Sequence, residues 1–175
     1  MGKAISRSVL VVVALVLCRP GVTADHWVAS WGTAQQLMKP ERAMPSAQTP
    51  PARIERQTVR MVARPTIAGS QVRIALSNSF GHGPVRIDAA QVARAGANGS
   101  ILPGSGRPLT FGGRTWVVLP PGARISSDPV AFDVRAQSDL SVSLHVEADS
   151  GPTTSHPIGL RGAWMAPGNQ VMAEK

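Results

Sequence analysis

The side chains able to do chemistry are few, and their spacing narrows what that chemistry can be. His26, His82, His145 and His156 lie far apart, with no pair at the spacing of a helical or finger-type metal site and none at i and i+2 of a strand. Scattered surface histidines are the plainer reading. Ser150, in Asp149-Ser150-Gly151 just after a well-patterned strand, is the candidate nucleophile, because several hydrolases place theirs at such a position. It would need a base within reach, His145 on the preceding strand or His156 downstream, and a pair of donors for an oxyanion. Pro152 and Pro157 bracket the next segment, so a helix that would orient Ser150 and its backbone donors cannot start cleanly there. A turn serine is the simpler expectation, with the small Ser150 esterase kept as a rival. The run from Gly99 to Gly106 has no Gly-Lys-Ser/Thr ending and no helix behind it, so it reads as a loop rather than a phosphate cradle. Nothing implies a cofactor. Four tryptophans remain, whose apolar faces and N–H groups suit sugar rings. Trp116 adjoins Val117, Val118 and Leu119 and is expected inside, which leaves Trp27, Trp31 and Trp164 as candidate carbohydrate contacts.

The elements that would position these residues are strands. Val59, Met61 and Ala63 alternate with Thr58, Arg60 and Val62; Val72, Ile74 and Leu76 with Gln71, Arg73 and Ala75; Val85, Ile87 and Ala89 with Arg86 and Asp88. Later come Trp116 to Leu119, then Val130, Phe132 and Val134. The clearest run sets Leu140, Val142, Leu144 and Val146 against Ser141, Ser143, His145 and Glu147. Successive strand side chains point to opposite faces, so each run can bury one side and wet the other. Gly81-His82-Gly83-Pro84, Pro103-Gly104-Ser105-Gly106, Gly112-Gly113 and Pro120-Pro121-Gly122 supply the reversals between them. No amphipathic helix of about ten or more residues is found. The expectation is an all-β, jelly-roll-like sandwich over residues 57–172, preceded by an N-terminal strand and extended loop over 25–56. The Pro/Ala/Met/Gln-rich stretch from Leu37 to Pro51 is the irregular part of that loop.

The first 24 residues have a different logic. Lys3 and Arg7 form a positive leader, Val9 to Cys18 is an unbroken apolar run, and Val22-Thr23-Ala24 offers the small residues a signal peptidase reads. The run is about half the ~20 residues a bilayer span needs, so cleavage after Ala24 and a secreted or periplasmic chain are expected, without a stable membrane span. Cys18, the one cysteine, would leave with the signal, and the formal charge of +8 would fall to +5 with Lys3, Arg7 and Arg19. The remaining arginines are spread along strands, there is no tyrosine, and a nucleic-acid groove is not expected.

Taken in order, several segments carry a resemblance: Trp27-Val28-Ala29-Ser30-Trp31; Arg73-Ile74-Ala75-Leu76-Ser77-Asn78-Ser79-Phe80-Gly81; Pro103 to Gly113; Ser127-Asp128-Pro129-Val130; Asp139 to Leu144; and Ser155-His156-Pro157. Their order and spacing, from Trp27 to Val171, resemble the N-terminal β domain that precedes the catalytic domain in a group of secreted bacterial SGNH (GDSL-type) hydrolases. The resemblance implies a non-catalytic accessory domain of an esterase acting on acyl or acetyl esters. Its partners would be an SGNH catalytic domain and a polysaccharide. It also implies that the catalytic Gly-Asp-Ser and Asp-x-x-His blocks belong to the other domain. Ala148-Asp149-Ser150-Gly151 has two of the three nucleophile-block residues but lies inside the β domain, and no Asp-x-x-His occurs. Residues 173–175 would begin a linker. A gene fragment, a stand-alone module and part of a longer protein all remain open, as does a free-standing carbohydrate-binding β-sandwich.

Overall fold

The computed structural model describes residues 26–37, 53–156 and 159–175. The proposed signal, its cleavage point and most of the 37–51 loop therefore lie outside the described residues. The fold is all-β. Among the described residues thirteen strands run in chain order: β1 (Gln36–Leu37), β2 (Gln57–Ala63), β3 (Gly69–Val72), β4 (Ala75–Ser77), β5 (Val85–Ile87), β6 (Ala89–Arg94), β7 (Arg107–Pro108), β8 (Val117–Leu119), β9 (Arg124–Ser126), β10 (Val130–Val134), β11 (Leu140–Val146), β12 (Thr154–Ser155) and β13 (Ala163–Pro167). One layer is a five-stranded sheet in the order β13-β2-β11-β6-β7, and its β13-β2, β2-β11, β11-β6 and β6-β7 pairs are all antiparallel. The opposing layer is made of the two-stranded ribbons β3-β10, β4-β9 and β5-β8. Among the described residues the only helical turn is a short 3₁₀ segment, Ala97–Gly99, and no helix is long and apolar enough to cross a membrane.

The core lies between the layers. Ala90, Val92, Leu140, Val142 and Val146 from the sheet meet Leu76, Ile87, Val117, Leu119, Phe132 and Val134 from the ribbons, with Leu109 and Phe111 closing one side. These are the apolar positions of the period-two pattern in β10 and β11, as that pattern requires.

Two expected strands are each broken in two, with a physical cause at each break. The 71–76 run ends one strand at Val72 and begins another at Ala75. At the break the Ile74 N–H donates to the Ser127 hydroxyl, and the Ile74 carbonyl accepts from the Ser127 N–H. Facing it, Pro129 has no N–H with which to continue the ladder. The 85–89 run breaks at Asp88, where the chain leaves β8 and joins β11. Its carboxylate accepts from Arg86 and from the Glu147 N–H, and its own N–H donates to the His145 carbonyl. Strands that change sheets at a corner in this way let one chain serve both layers of a sandwich.

The turns follow the glycines and prolines of the sequence. Gly112 and Gly113 both have positive φ (58° and 76°) between the bridged residues Phe111 and Arg114, the conformation a two-residue type I′ hairpin needs. Asp128 accepts from both glycine N–H groups and from the Thr110 hydroxyl. Asn78 is buried, and its side-chain amide donates to the carbonyls of Gly83, Leu119 and Pro120, tying two turns together.

The larger departure from the pattern concerns the outer face of the central sheet. In β2 the expected inside and outside are partly exchanged: Thr58 and Arg60 are buried, whereas Met61 is 40% exposed. In β11 both faces are buried, Ser141, Ser143 and His145 as completely as Leu140 and Val142. A strand pattern records which face is apolar, not whether a later segment covers the polar one. Here the 96–106 loop and residues 168–174 do so, joined to each other where the Ile101 N–H donates to the Glu174 carbonyl.

Several carboxylates are held below their ordinary range. The Gly113 N–H, then the Thr110 hydroxyl, lower Asp128 against the opposing cost of desolvation; the Arg64 guanidinium, bonded directly, does the same for Asp139. A carboxyl whose folded pKa is depressed adds stability above its unfolded value, near 3.8 here, and loses it as pH falls toward the folded value. The urea midpoint should stay level from pH 7 to about pH 5 and drop below about pH 4, with a shallower drop in Asp128→Asn. A midpoint that rises on acidification would contradict this assignment.

Candidate functional site

Ser150 does not have the surroundings of a nucleophile. Its hydroxyl accepts from the Ile54 N–H at 2.9 Å and donates to the Gly151 carbonyl at 2.8 Å, and its own N–H donates to the Ile54 carbonyl. The side chain is buried. Neither candidate base touches it. His145 Nδ1 faces the Gln57 carbonyl at 3.1 Å and Nε2 faces Glu147 Oε2 at 3.0 Å. His156 Nδ1 meets the Ala34 carbonyl at 2.7 Å. Asp149, beside the serine, pairs with Arg53. These bonds fasten the 149–156 segment to the stretches that lead into β1 and β2 and leave no base poised over the hydroxyl. Among the described residues no group of three or more His, Cys, Asp or Glu side chains is arranged to hold a metal ion.

The tryptophans occupy three different settings. Trp27 lies under the Arg73 guanidinium, 4.5 Å from ring centroid to Cζ, and Trp31 is half exposed on the same N-terminal segment. Trp116, expected inside, is only half-buried. Arg86 and Arg114 approach its ring at 4.4 and 5.2 Å, so cation–π contact rather than core packing holds it. Trp164 lines a cleft.

That cleft is built from register. β13 pairs with β2 so that Trp164 lies opposite Arg60 and Ala166 opposite Thr58. Directly opposed residues share a face, and this face is the covered, polar side of the sheet. The same row continues through Ser143 and Gln91. Arg60 reaches along it: Nε donates to the Ser143 hydroxyl, Nη1 to the Gly99 carbonyl, and Nη2 to the Gln170 and Ala173 carbonyls, at 2.5–3.3 Å. Thr58 donates to the Gly168 carbonyl and accepts from the Gln170 N–H. Between these groups lies a cleft of about 190 Å³ lined by Arg60, Asn98, Trp164, Met165, Gln170 and Lys175, with Thr58, Gly99 and Ala166 completing it.

Its electrostatics are one-sided. Arg60 is 6% exposed and joins no carboxylate in an ion pair among the described residues. Burial pushes its pKa down. Lys175 adds a second cation, and no acidic side chain lines the space. The Glu174 carboxylate instead accepts from the Gly104 N–H. No Asp, Glu, His or Cys side chain lines the cleft.

Trp27, Trp31 and Trp164 were each visible as large side chains, but the sequence pattern assigned Arg60 to the solvent side. Asn98, Gln170 and Lys175 carry no sequence motif; Asn98-Gly99 is the one local signal, a turn dipeptide with φ of 52° and 80°. No protein-family model and no curated protein matches this chain.

Gly99 shapes the cleft directly, because a Cβ there would stand 2.7 Å from the Trp164 ring. Gly104 has a similar positive φ but open space around it. Gly104→Ala should cost about 1–2 kcal/mol for backbone strain. Gly99→Ala should cost at least about 1 kcal/mol more for overpacking. Urea unfolding of both variants checks the difference, and equal losses would mean that the indole does not depend on the glycine.

Proposed function

We propose that this chain is a non-catalytic accessory domain of an exported SGNH-type esterase, contributing a binding surface rather than an active site. The observation that carries the reading is Ser150, whose hydroxyl is occupied by the Ile54 N–H and the Gly151 carbonyl while His145 and His156 are engaged elsewhere. The ordered resemblance from Trp27 to Val171 supports the assignment to esterases, and the half-exposed Val28 and Trp31 supply apolar surface for a catalytic domain to cover. The partner of that catalytic domain's reaction, on this reading, is an esterified polysaccharide held in part by the accessory domain.

A second reading, a free-standing carbohydrate-binding β-sandwich, is favoured by the Trp164 cleft, where an indole more than one-third exposed adjoins side-chain amides. The two readings share a binding role and differ in whether a catalytic partner exists.

The purified chain should show no hydrolysis of p-nitrophenyl acetate above the buffer rate. Ser150→Ala should leave that rate unchanged while losing about 0.5–1.5 kcal/mol of stability, because the part-buried Ile54 N–H loses its acceptor. Turnover by the native chain that disappears in a folded Ser150→Ala variant would overturn the proposal and favour the small-esterase alternative.

A further inference from the structure

We propose that the Trp164 cleft binds a sugar ring carrying a carboxylate, a uronate, with the ring against the indole and the carboxylate toward Arg60 and Lys175. The proposal rests on the binding-domain reading and gives it a substrate class.

The charge comes first. A guanidinium presents five N–H groups. Four of those of Arg60 are used, on the Ser143 hydroxyl and three backbone carbonyls. One Nη1 N–H has no partner among the described residues, and the group lines the cleft at 6% exposure. A buried cation satisfied only by neutral oxygens keeps an uncompensated charge, since dipoles offset desolvation without neutralising it. Lys175 brings a second cationic side chain to the same space, and no Asp or Glu side chain lines it. An anion entering here gains attraction from both side chains.

The other lining groups indicate what kind of anion. The side-chain amides of Asn98 and Gln170 and the indole N–H of Trp164 make no hydrogen bond to other described residues. Amides donate and accept, which matches hydroxyl groups rather than a bare inorganic ion. The indole supplies an apolar face. A volume of about 190 Å³ is below the roughly 300–1,000 Å³ of sites that enclose drug-sized ligands. The cleft therefore suits one ring of a chain whose neighbours stay in solvent. Asn98 is held in the left-handed region (φ 52°, ψ 41°) beside this space, a conformation that aims its amide from a fixed backbone.

Isothermal titration calorimetry of the full chain with tri-galacturonate, and with the same trimer fully methyl-esterified, tests the proposal. The free acid should bind, the ester at least about tenfold more weakly for loss of a charge-assisted bond, and added salt should weaken the acid alone. Trp164→Ala should weaken binding at least about fivefold and Lys175→Gln about threefold. Ile67→Ala, at an exposed apolar side chain outside the cleft lining, should change nothing. Asn98→Gly, which keeps the left-handed backbone and removes only the amide, serves if Trp164→Ala fails to fold, and should also weaken binding. Equal binding of acid and ester, or acid binding indifferent to both cleft variants, would overturn the proposal. Preference for the ester through Trp164 would remove the uronate and leave the binding-domain reading standing. Silence of both trimers would remove the uronate as well, leaving the esterase-accessory reading to the p-nitrophenyl acetate test.

Discussion

A single buried cation organises the outer side of this domain. Arg60 sits in the middle of β2, on a face that the sequence pattern would leave wet, and its guanidinium gathers Ser143, Gly99, Gln170 and Ala173 around it. Taking such a group out of water costs several kcal/mol, and hydrogen bonds to a charged donor each return about 1.5–3 kcal/mol. The arrangement is favourable only when most of the bonds are made together. That condition fixes the 97–99 turn and the 168–174 segment at one height above the sheet, and the burial of Val171 and Ile101 on those covering segments adds to it. The Trp164 cleft is the space left between the turn, the tail and β13.

The inner side depends on a different device. Short ribbons make a second layer only if their ends are held, and three polar side chains hold them. Asn78 joins the turn after β4 to the turn after β8. Asp128 fixes the Gly112-Gly113 hairpin, and Asp88 fixes the corner where the chain passes from β5 to β6. None of these bonds contributes much net energy in water, but each satisfies backbone groups that would otherwise be stranded where strands break. The apolar core then packs against positioned ribbons rather than loose loops.

Much of this was legible in the residues. The alternation of Leu140 to Val146 and of Val130 to Val134 gave strands and their inward faces, and the glycine and proline clusters marked the reversals, because both signals are local. The two strand breaks were not legible, since Ile74 and Asp88 interrupt their runs for partners, Ser127 and Glu147, that are distant in sequence. The exchange of inside and outside at Arg60 was hidden for the same reason: its acceptors lie 39 to 113 positions away. Ser150 shows the converse. Its sequence surroundings suggested chemistry, and only the three-dimensional bond to Ile54, 96 positions away, shows how the hydroxyl is occupied.

Arg60 links sheet, tail and cleft, and amide hydrogen exchange on the full chain tests that link most directly. In Arg60→Met, the amides of Ile101 and Ala173, bonded within the covering segments, and of Gln170, bonded to Thr58 on the sheet, should lose protection, while those of Val142 and its neighbours in β11 should keep theirs. Covering-segment amides that exchange at the native rate in the variant would contradict the account.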